Sequence, residues 1–151
     1  MRCKPFGIVL TIIGSFLLVA PNVAAQAQKQ APAAEQNIVR ESGVAVPMRD
    51  GVILRAEVWR PAATGKFPTL VYRTPYGAKR ALDSSILAKA VARGYAVVVQ
   101  DVRGRYESAG EYLAYPQEGR DGYDTIEWAA RQPWSDGNVG TFGLSYPGAV
   151  Q

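Results

Sequence analysis

The 151-residue chain contains no histidine, and its one cysteine is Cys3. Without histidine these residues supply no imidazole base, and a metal site would have to be built from carboxylates. The carboxylates show no metal-ligand clustering along the sequence, so no metal is expected. A single cysteine excludes an intramolecular disulfide. Phosphate-loop and dinucleotide fingerprints are missing too, and no cofactor is expected. Charge is also in short supply. The formal +4 falls to +2 if Arg2 and Lys4 leave with a leader, with 15 basic against 13 acidic residues remaining. So weak and scattered an excess argues against a nucleic-acid partner. No internal repeat is visible. A composition of 48% hydrophobic and 20% charged residues is ordinary for one globular domain.

The apolar segment from Phe6 to Ala20 is about 15 residues long and is broken by Gly7, Thr11, Gly14 and Ser15. A bilayer crossing needs about 20 residues, so stable membrane insertion is not expected. Arg2 and Lys4 precede the segment and the small residues Val23-Ala24-Ala25 follow it, which is the layout of a secretory signal. Residues 1–25 are therefore expected to be a signal peptide, cleaved after Ala25 or after Ala27. Cys3 lies before the apolar segment and would leave with it. The expected destination is the periplasm or the extracellular space. Residues 26–42, rich in Ala and Gln with Pro32, have no sustained periodicity and are expected to form a flexible linker.

From residue 43 onward the pattern is that of alternating strands and helices. Val44 to Met48 and Val52 to Arg60 are β-prone runs around Arg49-Asp50-Gly51, a turn whose Asp-Gly pair favours a hairpin. Phe67 to Arg73 reads as a third strand. Ser84 to Arg93 reads as a helix, with Ile86, Leu87, Ala90 and Val91 on one stripe, Asp83 or Ser84 as cap and Gly94 as stop. Tyr95 to Gln100 is almost wholly apolar, as in a strand covered on both faces. A second helix is expected from about Gly122 to Arg131, capped by Asp121. Trp134-Ser135-Asp136-Gly137 then turns into the β-prone run Asn138 to Phe142. The order is a hairpin followed by βαβαβ, which implies an α/β fold with a parallel sheet.

That last run ends in Gly143-Leu144-Ser145-Tyr146-Pro147-Gly148. It resembles the G-x-S-x-G turn that lifts a nucleophilic serine above a sheet at a strand-to-helix corner, with its far glycine displaced by one position. The competing reading is a glycine-rich turn whose serine caps the next helix. If Ser145 is a nucleophile, the backbone N–H of Tyr146 is one donor for the developing oxyanion. The other donor normally comes from the loop after the third strand, here Thr74-Pro75-Tyr76-Gly77. The Tyr76 phenol has suitable reach, and simple packing on the loop is the alternative. Asp101 and Arg103 are expected to pair with each other or with neighbours and fix their loop. The three tryptophans, Trp59, Trp128 and Trp134, are expected to pack rather than bind.

Six motifs occur in consistent order from Val44 to Gln151. They are Arg73-Thr74-Pro75-Tyr76, Gln100-Asp101-Val102-Arg103-Gly104-Arg105 and Ser108-Ala109-Gly110-Glu111, then Asp121 to Trp128, Gln132-Pro133-Trp134 and Gly143 to Gly148. Together they resemble the CocE/NonD hydrolases, the group of cocaine esterase, the α-amino-acid ester hydrolases and the X-Pro dipeptidyl-peptidases. The resemblance implies an α/β-hydrolase fold, of which residues 43–151 form the N-terminal portion. It implies that Ser145 is acylated and that the Tyr76 hydroxyl and Tyr146 N–H form the oxyanion hole. In such enzymes the acid and then the histidine follow the serine, so both are expected beyond Gln151. The 151 residues are then the front of a longer enzyme, with negligible turnover alone. Small carboxylic esters, α-amino-acid esters including β-lactam side chains, and X-Pro peptides compete as substrates. The alternative is an exported, non-catalytic α/β binding domain or a pseudogene product.

Overall fold

The computed structural model describes residues 37–151, so the expected signal peptide and most of the expected linker lie outside the described residues. Among the described residues, no helix is long and apolar enough to cross a membrane.

The chain runs β1 (Ile38–Pro47), β2 (Ile53–Pro61), β3 (Phe67–Thr74), α1 (Ser84–Ala92), β4 (Ala96–Asp101), α2 (Glu118–Ala130), β5 (Ser135–Thr141) and α3 (Tyr146–Ala149). β1 and β2 form the expected antiparallel hairpin. Its turn holds Gly51 at φ 83°, and the Met48 N–H donates to the Val52 carbonyl at 2.8 Å. A left-handed residue costs glycine little there. β1 starts at Ile38, so residues 38–42 belong to the hairpin rather than to the expected linker. They pair with the far end of β2, from Ile38 opposite Pro61 to Glu41 opposite Val58. That pairing is non-local, which is why composition alone misplaced the boundary.

The five strands lie in the order β1-β2-β4-β3-β5. β2 meets β4 antiparallel, whereas β3 runs parallel to both β4 and β5. β4 is buried along its whole length, as its apolar run requires. Because side chains alternate across a strand, Val98 joins one core and Val97 and Val99 the other. The first core gathers Val46, Leu54, Val58 and Val71 with Ala129 of α2, and Trp128 and Trp134 pack against it. The second gathers Tyr72 with Leu87 and Val91 of α1, and Trp59 packs against it. All three tryptophans thus serve packing.

α1 follows the expected span. The Asp83 side chain caps it by accepting the Ser85 N–H at 2.6 Å. Leu87 and Val91 are buried, but Ile86 is exposed and lies off the inner stripe. α2 differs more. It begins at Glu118, and Asp121 lies inside its first turn instead of capping it. Gly119 and Gly122 weaken the local helix signal there. The carboxylate of Asp121 is instead taken by Arg103, a partner 18 residues away.

Candidate active site

The register of the parallel strands brings three loops to one edge of the sheet. Thr74 pairs with Asp101, Val71 pairs with Thr141, and the Phe142 N–H donates to the Val71 carbonyl at 3.2 Å. The segments after β3, β4 and β5 therefore leave at the carboxyl ends of neighbouring strands, where α/β sheets gather functional groups.

Ser145 stands where β5 gives way to α3, at φ 61° and ψ −130°. A serine in that region carries about 1–3 kcal/mol of strain and needs surroundings that enforce it. The enforcement is steric. A Cβ on Gly143 would overlap the Pro147 carbonyl, and one on Gly148 would lie 3.0 Å from the Gly143 oxygen. The two glycines let the strand end and the helix start touch backbone to backbone. Ser145 is solvent-exposed, and its side chain makes no capping hydrogen bond to α3. That result removes the helix-cap reading. Instead the Ser145 carbonyl accepts the Gly148 and Ala149 N–H groups at 2.9 and 3.0 Å. The Tyr146 N–H opens α3 and, as in any first helical turn, has no partner within the helix.

Tyr76 lies on the loop after β3 and is 53% exposed. Its loop is fixed at several points. The Tyr76 N–H donates to Thr74 Oγ1 at 3.1 Å, the Val102 N–H to the Thr74 carbonyl at 3.0 Å, and Arg105 Nε to the Pro75 carbonyl at 3.1 Å. Asp101 completes the frame by accepting the Ala78 N–H at 2.6 Å. Burial pushes the Asp101 carboxyl above its ordinary value, opposed by the N–H groups of Ala78 and Glu107. Arg103 forks onto Asp121 at 2.7 and 2.9 Å and reaches Asp50 at 2.9 Å. Both residues thus fix loops, as the sequence suggested.

The Tyr146 side chain points the other way, into the protein, at 8% exposure. Its hydroxyl donates to Glu118 Oε1 at 2.8 Å, and its ring stacks on Tyr115 with centroids 4.8 Å apart. Burial first, then hydrogen bonds to Tyr112 and Glu118, hold its phenol well above the usual tyrosine range. Glu118 Oε2 meets Arg73 at 2.8 Å, and Arg73 Nε donates to Gln100 Oε1 at 2.9 Å. Thr125 Oγ1 donates to the same amide oxygen at 2.9 Å. Sequence reasoning missed this buried polar cluster. Its visible signal was Arg73 and Gln100, polar residues at the ends of apolar strands, since a buried charge demands a partner.

A cavity of about 510 Å³ lies at the far end of the sheet, against Asn37, Ile38, Pro61 and Val91, and touches none of these residues. Among the described residues no group of three or more Cys, Asp or Glu side chains is arranged to hold a metal.

Residues 50–151 match the family described as X-Pro dipeptidyl-peptidase (S15 family). The chain is 44% identical over 114 residues to cocaine esterase from Rhodococcus sp. (strain MB1 Bresler), a match covering 73% of this chain and 20% of that protein. A solved CocE/NonD family hydrolase from Staphylococcus aureus matches with a TM-score of 0.68 at 32% identity, over 75% of this chain and 24% of that one. An α-amino-acid ester hydrolase matches with a TM-score of 0.63 at 30% identity, over 87% of this chain and 25% of that one. The mixed five-stranded sheet with its flanking helices is thus an α/β-hydrolase fold of the CocE/NonD kind. The chain belongs to the X-Pro dipeptidyl-peptidase (S15) family. It spans about a fifth of cocaine esterase and about a quarter of the two structural relatives.

Proposed function

We propose that this chain belongs to an exported serine hydrolase that cleaves ester or amide bonds through an acyl-enzyme on Ser145. The observation that carries the proposal is the exposed serine held at φ 61° on a strand-to-helix corner with no capping role. In the proposed reaction Ser145 Oγ attacks the substrate carbonyl carbon, the leaving alcohol or amine departs, and water then releases the acid. Negative charge on the carbonyl oxygen meets the Tyr146 N–H and the Tyr76 hydroxyl as preorganised donors. Serine is a weak nucleophile without an adjacent base. The proton passes to an imidazole, which these 151 residues do not contain and which follows the serine in the order of this fold class.

Small-molecule esters are the favoured substrates, by likeness to the cocaine esterase and the α-amino-acid ester hydrolase; amides and short X-Pro peptides are the further members of the class. The leader-like residues 1–25 support delivery to the periplasm or outside the cell. The proposal is tested by treating the complete gene product with a fluorophosphonate probe. Labelling is expected in the parent protein and absent in Ser145→Ala. Equal labelling of the two, or none of the parent, would return Ser145 to a turn residue in a binding domain.

A further inference from the structure

We infer that the buried chain Tyr146–Glu118–Arg73 is a positioning device that holds the two oxyanion donors at a fixed spacing, an inference that rests on the hydrolase reading above. Each end of the chain belongs to one donor. Tyr146 carries the first donor on its own backbone, directly after Ser145. Arg73 stands at the end of β3, three residues before Tyr76, whose hydroxyl is the second donor. Between them lies Glu118 at the start of α2, with one carboxylate oxygen 2.8 Å from the Tyr146 hydroxyl and the other 2.8 Å from Arg73. Arg73 is tied further to the Glu118 carbonyl at 2.9 Å and to Gln100 on β4 at 2.9 Å. The link therefore connects the elbow, α2, β3 and β4 through one charged residue at 3% exposure and another at 8%.

Stability alone is a poor reason for such a link. A buried ion pair returns little net stabilisation over well-packed apolar residues of similar size, because both charges lose their water. What it does supply is directionality. Arg73 is oriented by its hydrogen bonds to the Glu118 carbonyl and to Gln100, its contact with the Glu118 carboxylate being an ion pair without hydrogen-bond geometry, and donors that act on a transition state need their orientation fixed before the charge appears. The geometry also separates the link from the packing. The Tyr146 ring is held by stacking on Tyr115 and by its contact with Val102 and Val150, while its hydroxyl, besides donating to Glu118, accepts a long bond from the Tyr115 N–H at 3.4 Å. Tyr146→Phe therefore removes the link and keeps the ring.

The test is a double-mutant cycle in the complete gene product, with steady-state hydrolysis of a p-nitrophenyl ester. Rates are normalised to serine titrated by fluorophosphonate. Tyr146→Phe is expected to lower kcat about tenfold with KM changed less than about twofold, since misplaced donors act on the transition state alone. Tyr76→Phe is expected to lower kcat about a hundredfold. Because both changes disable one shared geometry, the double variant should fall within about threefold of Tyr76→Phe alone. Arg73→Lys, which keeps a cation but loses the fork, gives a second route and should also lower kcat at constant KM. An unchanged kcat in Tyr146→Phe and Arg73→Lys, or losses that multiply in the double variant, would overturn the inference. If the parent protein itself is not labelled at Ser145, the hydrolase reading falls first; if it is labelled and the cycle is additive, only the positioning role falls.

Discussion

The elbow is held in a conformation that its central residue would not choose. At φ 61° Ser145 is strained by about 1–3 kcal/mol, and the strain persists because Gly143 and Gly148 let two backbone segments touch. Gly143→Ala would drive a methyl group into the Pro147 carbonyl, which is backbone and cannot swing aside. The expected outcome is a loss of about 3 kcal/mol or more in denaturant unfolding; an unchanged midpoint would contradict the steric account. Tyr76→Phe removes the proposed second donor without touching the loop anchors at Thr74, Pro75 and Asp101. Turnover should slow about a hundredfold with stability kept, and an unchanged rate would restrict Tyr76 to packing. The backbone of the strand-to-helix turn was legible in the sequence, because glycine and serine at that spacing after a β-prone run answer a local steric demand. The environment of the Tyr146 side chain was not, since nothing near it in the sequence names Glu118.

α2 marks where local reading failed and why. Its first turns carry Gly119 and Gly122, poor helix formers, while Glu118 is clasped by Arg73 and Asp121 by Arg103. Long-range charge pairs thus decide where the helix begins. Glu118→Ala should cost about 3–5 kcal/mol, because it strands the Arg73 guanidinium in the interior. Equilibrium unfolding measures this, and a loss below about 1 kcal/mol would mean that water reaches Arg73. The neighbouring elements were easier to read. The all-apolar β4, the Asp-Gly turn and the Asp83 cap each depend on residues adjacent in sequence, and the structure holds them as expected. The start of β1 at Ile38 was lost for the opposite reason, its partners Val58 to Pro61 lying in the next strand.

Across the whole molecule, the parallel arrangement of β4, β3 and β5 puts the loops that follow them at one end of the sheet, and carboxylates on several elements set the response to acid. Hydrogen bonds from Arg103, the Ser85 N–H and Arg49 hold the Asp50, Asp83 and Asp124 carboxyls below their ordinary value of 3.8. Groups lowered in this way contribute stability above pH 3.8 that is lost as pH falls through their folded values. Asp101, raised by burial, has the opposite sign. Its contribution is present at low pH and is lost as pH rises through its folded value. With three lowered carboxyls against one raised, thermal stability should drop as pH falls below 3.8, and Asp124→Asn should flatten that drop. A melting temperature that rises on such acidification would contradict this balance.

In the proposed reaction Ser145 is the nucleophile that takes up the acyl group. The most direct measurement is to quench the complete gene product in acid during turnover of a p-nitrophenyl ester and map the acyl group by peptide mass spectrometry. One acyl adduct, on Ser145, is expected. Turnover with the adduct on another residue, or with no adduct under conditions that trap acyl-enzymes, would contradict it.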